Sequence, residues 1–219
     1  MQYLPAIEIE TAAEPDSAII WLHGLGADGN DFAPIIPDLK LPSSMALRFI
    51  FPHAPAIAVT VNGGFVMPAW YDILEMEIDR KVDTAGLLSS AQQINDLLAR
   101  EYDRGIKSER IILAGFSQGG AVAYQVALSH PKPLAGLLVM STYLATGGSI
   151  TYSQANKSIP IQIQHGQFDP VVPEGLGKKA SLFLSEKGYQ ISYTVYPMEH
   201  SVCLEQINDI SRWIQAVLT

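Results

Sequence analysis

The segment "RIILAGFSQGGAVAYQVALSH", Arg110 to His130, decides the fold. Its opening, "RIILAG" (Arg110 to Gly115), is the short apolar, β-branched run of a strand buried on both faces of a parallel sheet. Its close, "GAVAYQVALSH", has a helical pattern. Between them "GFSQG" sets Ser117 on the turn from strand to helix. A G-x-S-x-G turn lifts the serine hydroxyl clear of the sheet end, and the backbones approach that closely only because Gly115 and Gly119 carry no side chains. The bare pattern arises by chance in about one chain in fifteen of this length. Its weight therefore rests on the strand before it and the helix after it.

Outward from this turn, short apolar runs alternate with helical patterns. The strands are predicted at Ala6 to Glu10, Ala18 to Leu22, Arg48 to Pro52, Leu134 to Met140, Pro160 to Gly166 and Ile191 to Pro197. The clearest helix runs from Thr84 to Asp103, where Leu87, Ala91, Ile94 and Leu98 recur at helical spacing. Further helices follow Ser117, span about Gly175 to Lys187, and run from about Cys203 to Val217. This alternation predicts the α/β class, a mostly parallel central sheet with helices on both faces.

At 219 residues the chain suits one domain, residues 1–219, with a sizeable core. Hydrophobic residues make up 48% and charged residues 16%, the balance of a folded globular chain. No apolar run approaches the roughly 20 residues of a membrane span, so no stable membrane insertion is expected. The start lacks a basic, apolar secretory signal, which predicts a cytoplasmic address. Cys203 is the single cysteine, so neither an intramolecular disulfide nor a cysteine-rich metal site can form. It reads as a small buried apolar residue. A net charge of −8 disfavours nucleic acid as a partner.

A serine nucleophile needs a base, usually a histidine oriented by a carboxylate. In parallel-sheet hydrolases these follow the serine in the order acid then histidine, each on a loop at a strand's carboxyl end. Among five histidines only His200, in "YPMEHSV" after the last strand, satisfies that order. Asp169, in "HGQFDPVVP", is the sole aspartate between Ser117 and His200. His23 reads as a loop-fixing hydrogen-bond donor, His165 as a support for the acid loop, and His53 and His130 as ordinary surface or helix-end residues. The developing oxyanion needs two backbone donors. Gln118 follows the nucleophile and supplies one; Leu25, in the glycine-rich "WLHGLGADGNDF", supplies the other. The competing reading of that loop, a phosphate cradle, lacks the lysine and Ser/Thr of a P-loop.

"WLHGLGADGNDF", "NGGFVMPAWYDI", "LAGFSQGGAVAYQVAL", "HGQFDPVVP" and "YPMEHSV" together resemble the phospholipase/carboxylesterase family, which includes bacterial carboxylesterases and the acyl-protein thioesterases. The likeness covers Ala18 to the C-terminus. It implies an α/β-hydrolase fold, Ser117, Asp169 and His200 as the triad, Leu25 and Gln118 as the oxyanion hole, and no cofactor or metal. It also implies a small-molecule ester substrate cleaved as a short- to medium-chain carboxylic ester. The alternatives are an acylated protein or a lysophospholipid, and, more remotely, a non-catalytic binding module on the same scaffold. Relatives of this kind often form homodimers. One departure is Glu199, where the family usually has glycine before the histidine, so a carboxylate could crowd or polarise the imidazole.

Substrate recognition is expected in the stretch 53–83, too long for a simple connection. Met67, Trp70, Tyr71, Ile73 and Leu74 offer an apolar acyl wall, with Trp70 favoured as the closing group, and Val171 adds to it from beside the acid. The run "EMEIDRKVD" within that stretch reads as a solvated face.

Overall fold

The computed structural model describes residues 3–75 and 81–219. Seven strands form the main sheet: β1 (Ala6–Glu10), β2 (Ser17–Leu22), β3 (Leu47–Pro52), β6 (Ile111–Phe116), β7 (Gly136–Met140), β8 (Ile161–Gly166) and β9 (Ile191–Tyr196), with β4 (Ala56–Val59) and β5 (Phe65–Pro68) apart from it. The spatial order is β1-β3-β2-β6-β7-β8-β9. Only the edge strand β1 runs antiparallel to its neighbour; every other pairing is parallel.

The strands read as nearly continuous apolar runs because both faces are covered. In β2 all six residues are buried. Ile19 and Trp21 join Phe49, Ile112, Leu138 and Met140 on the face covered by α1 (Ile36–Leu39) and α5 (Leu204–Leu218). Ala18, Ile20 and Leu22 join Leu113, Leu137 and Val139 on the opposite face, under α2 (Thr84–Asp103), α3 (Gln118–Ser129) and α4 (Glu174–Glu186). This period-two division is what a parallel sheet between two helical layers requires. The α2 bounds are those read from its apolar spacing, and the Asp83 carboxylate accepts from the Gly86 amide to start it.

Strand order reverses at β2: the chain passes from β2 outward to β3 and later returns to β6 on β2's other side. Ligands of open α/β sheets bind at such a switch point, beyond the carboxyl ends of the strands. The loop after β2 and the turn after β6 meet there.

The stretch 53–83 is not one irregular loop. β4 and β5 pair antiparallel, Ala56 opposite Pro68 and Val59 opposite Phe65, as a separate hairpin. Its turn holds Gly63 and Gly64 at φ of 67° and 79°, which a side chain would resist. The cue was present in "NGG" between two β-prone runs. Residues 76–80, within the run read as a solvated face, lie outside the described residues. Cys203 is half-buried rather than buried, because it occupies the N-cap position of α5, where the chain enters from the surface. Among the described residues no helix is long and apolar enough to cross a membrane.

Candidate active site

Ser117 stands at the N-cap of α3 with φ 53° and ψ −122°, a conformation that costs a non-glycine residue free energy. Surrounding bonds hold it there. The Ser117 amide donates to the Met140 carbonyl at 2.9 Å, and the Thr142 hydroxyl donates to the Ser117 carbonyl at 2.5 Å. A Cβ at Gly115 would come within 2.6 Å of the Gly119 carbonyl oxygen, and one at Gly119 within 2.5 Å of the His23 carbonyl oxygen. Both glycines are thus required for the turn to lie against its neighbours.

The His200 loop follows β9, and its Nε2 lies 3.0 Å from the Ser117 hydroxyl oxygen. Nδ1–H of the same ring donates to Asp169 Oδ2 at 2.7 Å. Asp169 follows β8, and its other oxygen accepts from the Val171 and Val172 amides at 2.9 and 2.8 Å. Burial pushes this carboxyl up, but the His200 hydrogen bond, the two amides and the attraction of His200 outweigh it and leave its pKa below the ordinary value. The Phe116 ring packs 4.7 Å from the imidazole, centroid to centroid. The acid and histidine loops are tied together, since the Phe168 amide donates to the Met198 carbonyl and the Gln167 amide to the Tyr196 carbonyl. The structure therefore brings Ser117, His200 and Asp169 into one relay with the tautomer a base requires.

The Gln118 amide belongs to the first turn of α3, where no intrahelical acceptor exists and the helix dipole favours negative charge. Leu25 and Gln118 both line the cleft over Ser117. This cleft, about 320 Å³, is lined by Leu25, Ile73, Phe116, Tyr143, Val171 and Val172 around the serine and histidine. Tyr143 also lines a second cavity of about 360 Å³, whose walls include Val82, Leu144, Leu176 and Phe183. Ile73 on the first and Val82 on the second form an antiparallel bridge.

Of the acyl-wall candidates, Ile73 and Val171 line the cleft; Met67, Trp70 and Leu74 do not. Trp70 is 2% exposed, its Nε1–H donating to the His23 carbonyl at 2.8 Å and its amide to Gln118 Oε1 at 2.8 Å. The indole satisfies its polar atom against the loop after β2, which turns it into the core and away from the cleft. Met67 is half-buried on β5, where its sulfur accepts from Asn62 Nδ2, and Leu74 is half-buried beyond Ile73. Tyr71 is buried, its hydroxyl 2.7 Å from that of Tyr143. Sequence reasoning missed Tyr143, Phe116 and Val172 as lining groups. Tyr143 lies just past the carboxyl end of β7, a position that strand-end logic could have singled out.

His23 donates from Nδ1 to the Gly24 carbonyl and accepts the Ala54 amide at Nε2, fixing the loop that carries Leu25; its burial lowers its pKa. His165 is fully buried and hydrogen-bonded through Nε2 to the Val172 carbonyl at 2.8 Å, so it supports the acid loop. His130 is a buried helix-end residue rather than a surface one, held by Asn95 and Tyr102. His53 accepts the Gly29 amide. Glu199 is exposed, and among the described residues no ion pair joins it to His200.

The family model for phospholipase/carboxylesterase matches residues 5–218. The chain belongs to the phospholipase/carboxylesterase family. Within that family it is 36% identical over 223 aligned residues to acyl-protein thioesterase 1 of Neurospora crassa, covering 96% of this chain and 90% of that protein. It is 37% identical over 212 residues to acyl-protein thioesterase 1 of Saccharomyces cerevisiae, covering 92% of each. Among solved structures, acyl-protein thioesterase 2 of Zea mays superposes with a TM-score of 0.87 at 26% identity, covering 99% of this chain and 100% of that one. The protein is thus a member of a serine hydrolase family with the α/β-hydrolase fold.

Proposed function

We propose that this family member cleaves acyl thioesters, in the manner of a protein deacylase, and cleaves carboxylic esters by the same route. The observation that carries the reading is the continuous Ser117–His200–Asp169 relay opening into an apolar cleft. Ser117 Oγ attacks the acyl carbonyl while His200 Nε2 takes its proton. Asp169 holds the ring and stabilises the imidazolium. The Leu25 and Gln118 amides receive the oxyanion. Collapse of the tetrahedral intermediate breaks the bond to sulfur or oxygen, and His200 returns the proton to the leaving group. Water, deprotonated by His200, then attacks the acyl-enzyme; the bond to Ser117 Oγ breaks, His200 returns the proton to the serine, and the carboxylic acid departs. No step calls on a metal or cofactor, so EDTA should leave the rate unchanged.

The names of the relatives above 30% identity support the thioester reading. A second reading, a carboxylesterase for short to medium chains, is favoured by the modest cleft directly over Ser117. A series of aryl esters from acetyl to palmitoyl, run beside a palmitoylated peptide thioester, separates the two. Rising kcat/KM through long chains with efficient thioester cleavage supports the first reading. A break among short chains with negligible thioester turnover supports the second.

A further inference from the structure

Gln118 has two ends with different surroundings. Its backbone amide opens α3 beside the nucleophile. Its side chain is buried, and the residue as a whole is 3% exposed. The side-chain amide is fully directed: Oε1 accepts from the Trp70 amide at 2.8 Å, and Nε2–H donates to the Tyr71 carbonyl at 2.6 Å. These belong to the two peptide groups that flank the Trp70–Tyr71 peptide, so a single carboxamide reads a donor and an acceptor of the segment that leads into Ile73. Trp70 Nε1 donates at the same time to the His23 carbonyl, at the root of the Leu25 loop. The segment that supplies Ile73 to the cleft, and Tyr71 to the Tyr143 pair, is therefore bonded to the roots of both proposed oxyanion donors.

We infer that the Gln118 side chain is a positioning residue that couples the acyl-side segment to the oxyanion hole, so that a well-seated acyl chain speeds the chemical step instead of only tightening binding. The inference rests on the acyl-hydrolase reading above. An acyl chain pressed against Ile73 loads the Trp70–Tyr71 peptides. Through the carboxamide that load bears on the residue whose amide meets the oxyanion. Interactions realised only in the transition state raise kcat, whereas uniform binding changes KM alone. Both acylation and deacylation pass through the same oxyanion, so the coupling is visible whichever step limits the rate.

The test is a kcat-against-KM split over aryl esters from acetyl to hexanoyl, with the wild type, Gln118→Met and Gln118→Glu. Methionine keeps length and loses both bonds; glutamate keeps the acceptor for Trp70 and loses the donor to Tyr71. In the wild type kcat should rise with chain length by about three- to tenfold, the factor expected of one or two hydrogen bonds' worth of coupling. Gln118→Met should flatten that rise to within about twofold while the chain-length dependence of KM persists, and Gln118→Glu should fall between. If Gln118→Met does not fold, the wild-type split and the glutamate variant decide. The inference is overturned if wild-type chain length acts through KM alone, or if either folded variant lowers kcat by the same factor for every ester. Failure of the wild type to hydrolyse any ester or thioester is a different result, and it would sink the acyl-hydrolase reading itself.

Discussion

The carboxyl ends of β6, β8 and β9 and the hairpin segment between β3 and α2 both reach the cleft, yet they are held in opposite ways. Around the relay most of the bonds that fix the acid and the serine are local or run between adjacent strand ends. Asp169 takes the amides two and three residues on, and Ser117 is tied to the end of neighbouring β7. The hairpin segment projects, with Phe65 74% exposed, and it is fastened at its far end by long-range bonds. Trp70 reaches His23 and Gln118, Ser90 Oγ donates to the Trp70 carbonyl, and Tyr71 meets Tyr143. Ser117, Asp169 and His200 are thus set on rigid strand ends, while the cleft wall that Ile73 forms hangs from long-range anchors.

The largest effect should come from the rigid region. Ser117→Ala should lower kcat by at least about 10³-fold with the fold intact, and adding His200→Ala should cost little more, since the members of a relay act as a unit. Single-turnover and steady-state rates on an aryl ester check this. Near-additive losses would show that the two groups do not share one step.

Next comes the anchor of the hanging segment. Trp70→Ala should destabilise the protein by about 3–5 kcal/mol, measured by urea unfolding, because it empties a core site and strands the His23 carbonyl. The preferred acyl length should not increase. A stable variant with a longer optimum would return Trp70 to the cleft wall.

A third measurement separates stability from chemistry. His130 caps the end of α3 remote from Ser117, and burial, with Lys132 adding, pushes its pKa down to about 4. In the neutral ring Nδ1–H donates to Asn95 Oδ1 at 2.9 Å, and Nε2 accepts the Tyr102 hydroxyl at 2.7 Å. The folded pKa lies below the ordinary value, so this contribution is fully present above about pH 6.5 and is lost as pH falls towards 4. It amounts to at most about 3 kcal/mol. The gap between the unfolding midpoints at pH 7 and pH 5 should be narrower in His130→Gln than in the wild type. Equal divergence in both would assign the acid sensitivity to the buried His23 and His165, whose pKa values burial also lowers.

The smallest effect belongs to the wall. Ile73→Ala and Val171→Ala should lower kcat/KM on longer acyl esters by up to about fourfold for each methylene left without a partner, and barely affect the acetyl ester. A uniform fall over all lengths would mean that these residues hold loops rather than substrate.

The sequence by itself determined the strands of the main sheet (though not the β4–β5 hairpin), the α2 bounds, the placement of Ser117 between Gly115 and Gly119, and the order that singles out Asp169 and His200. Each of these depends on periodicity, on a tight turn, or on which loop follows which strand, and such signals are written within a few residues of where they act. Tertiary structure alone decided that Trp70 serves the core while Ile73 serves the cleft, and that Tyr143 joins two cavities. Trp70 and Ile73 are three residues apart in one apolar segment, and no period distinguishes them. What turns Trp70 inward is a pair of hydrogen-bond partners 47 and 48 residues away, a carbonyl on the loop after β2 and a carboxamide on α3. A buried indole N–H must find an acceptor, and only the assembled fold puts one within reach.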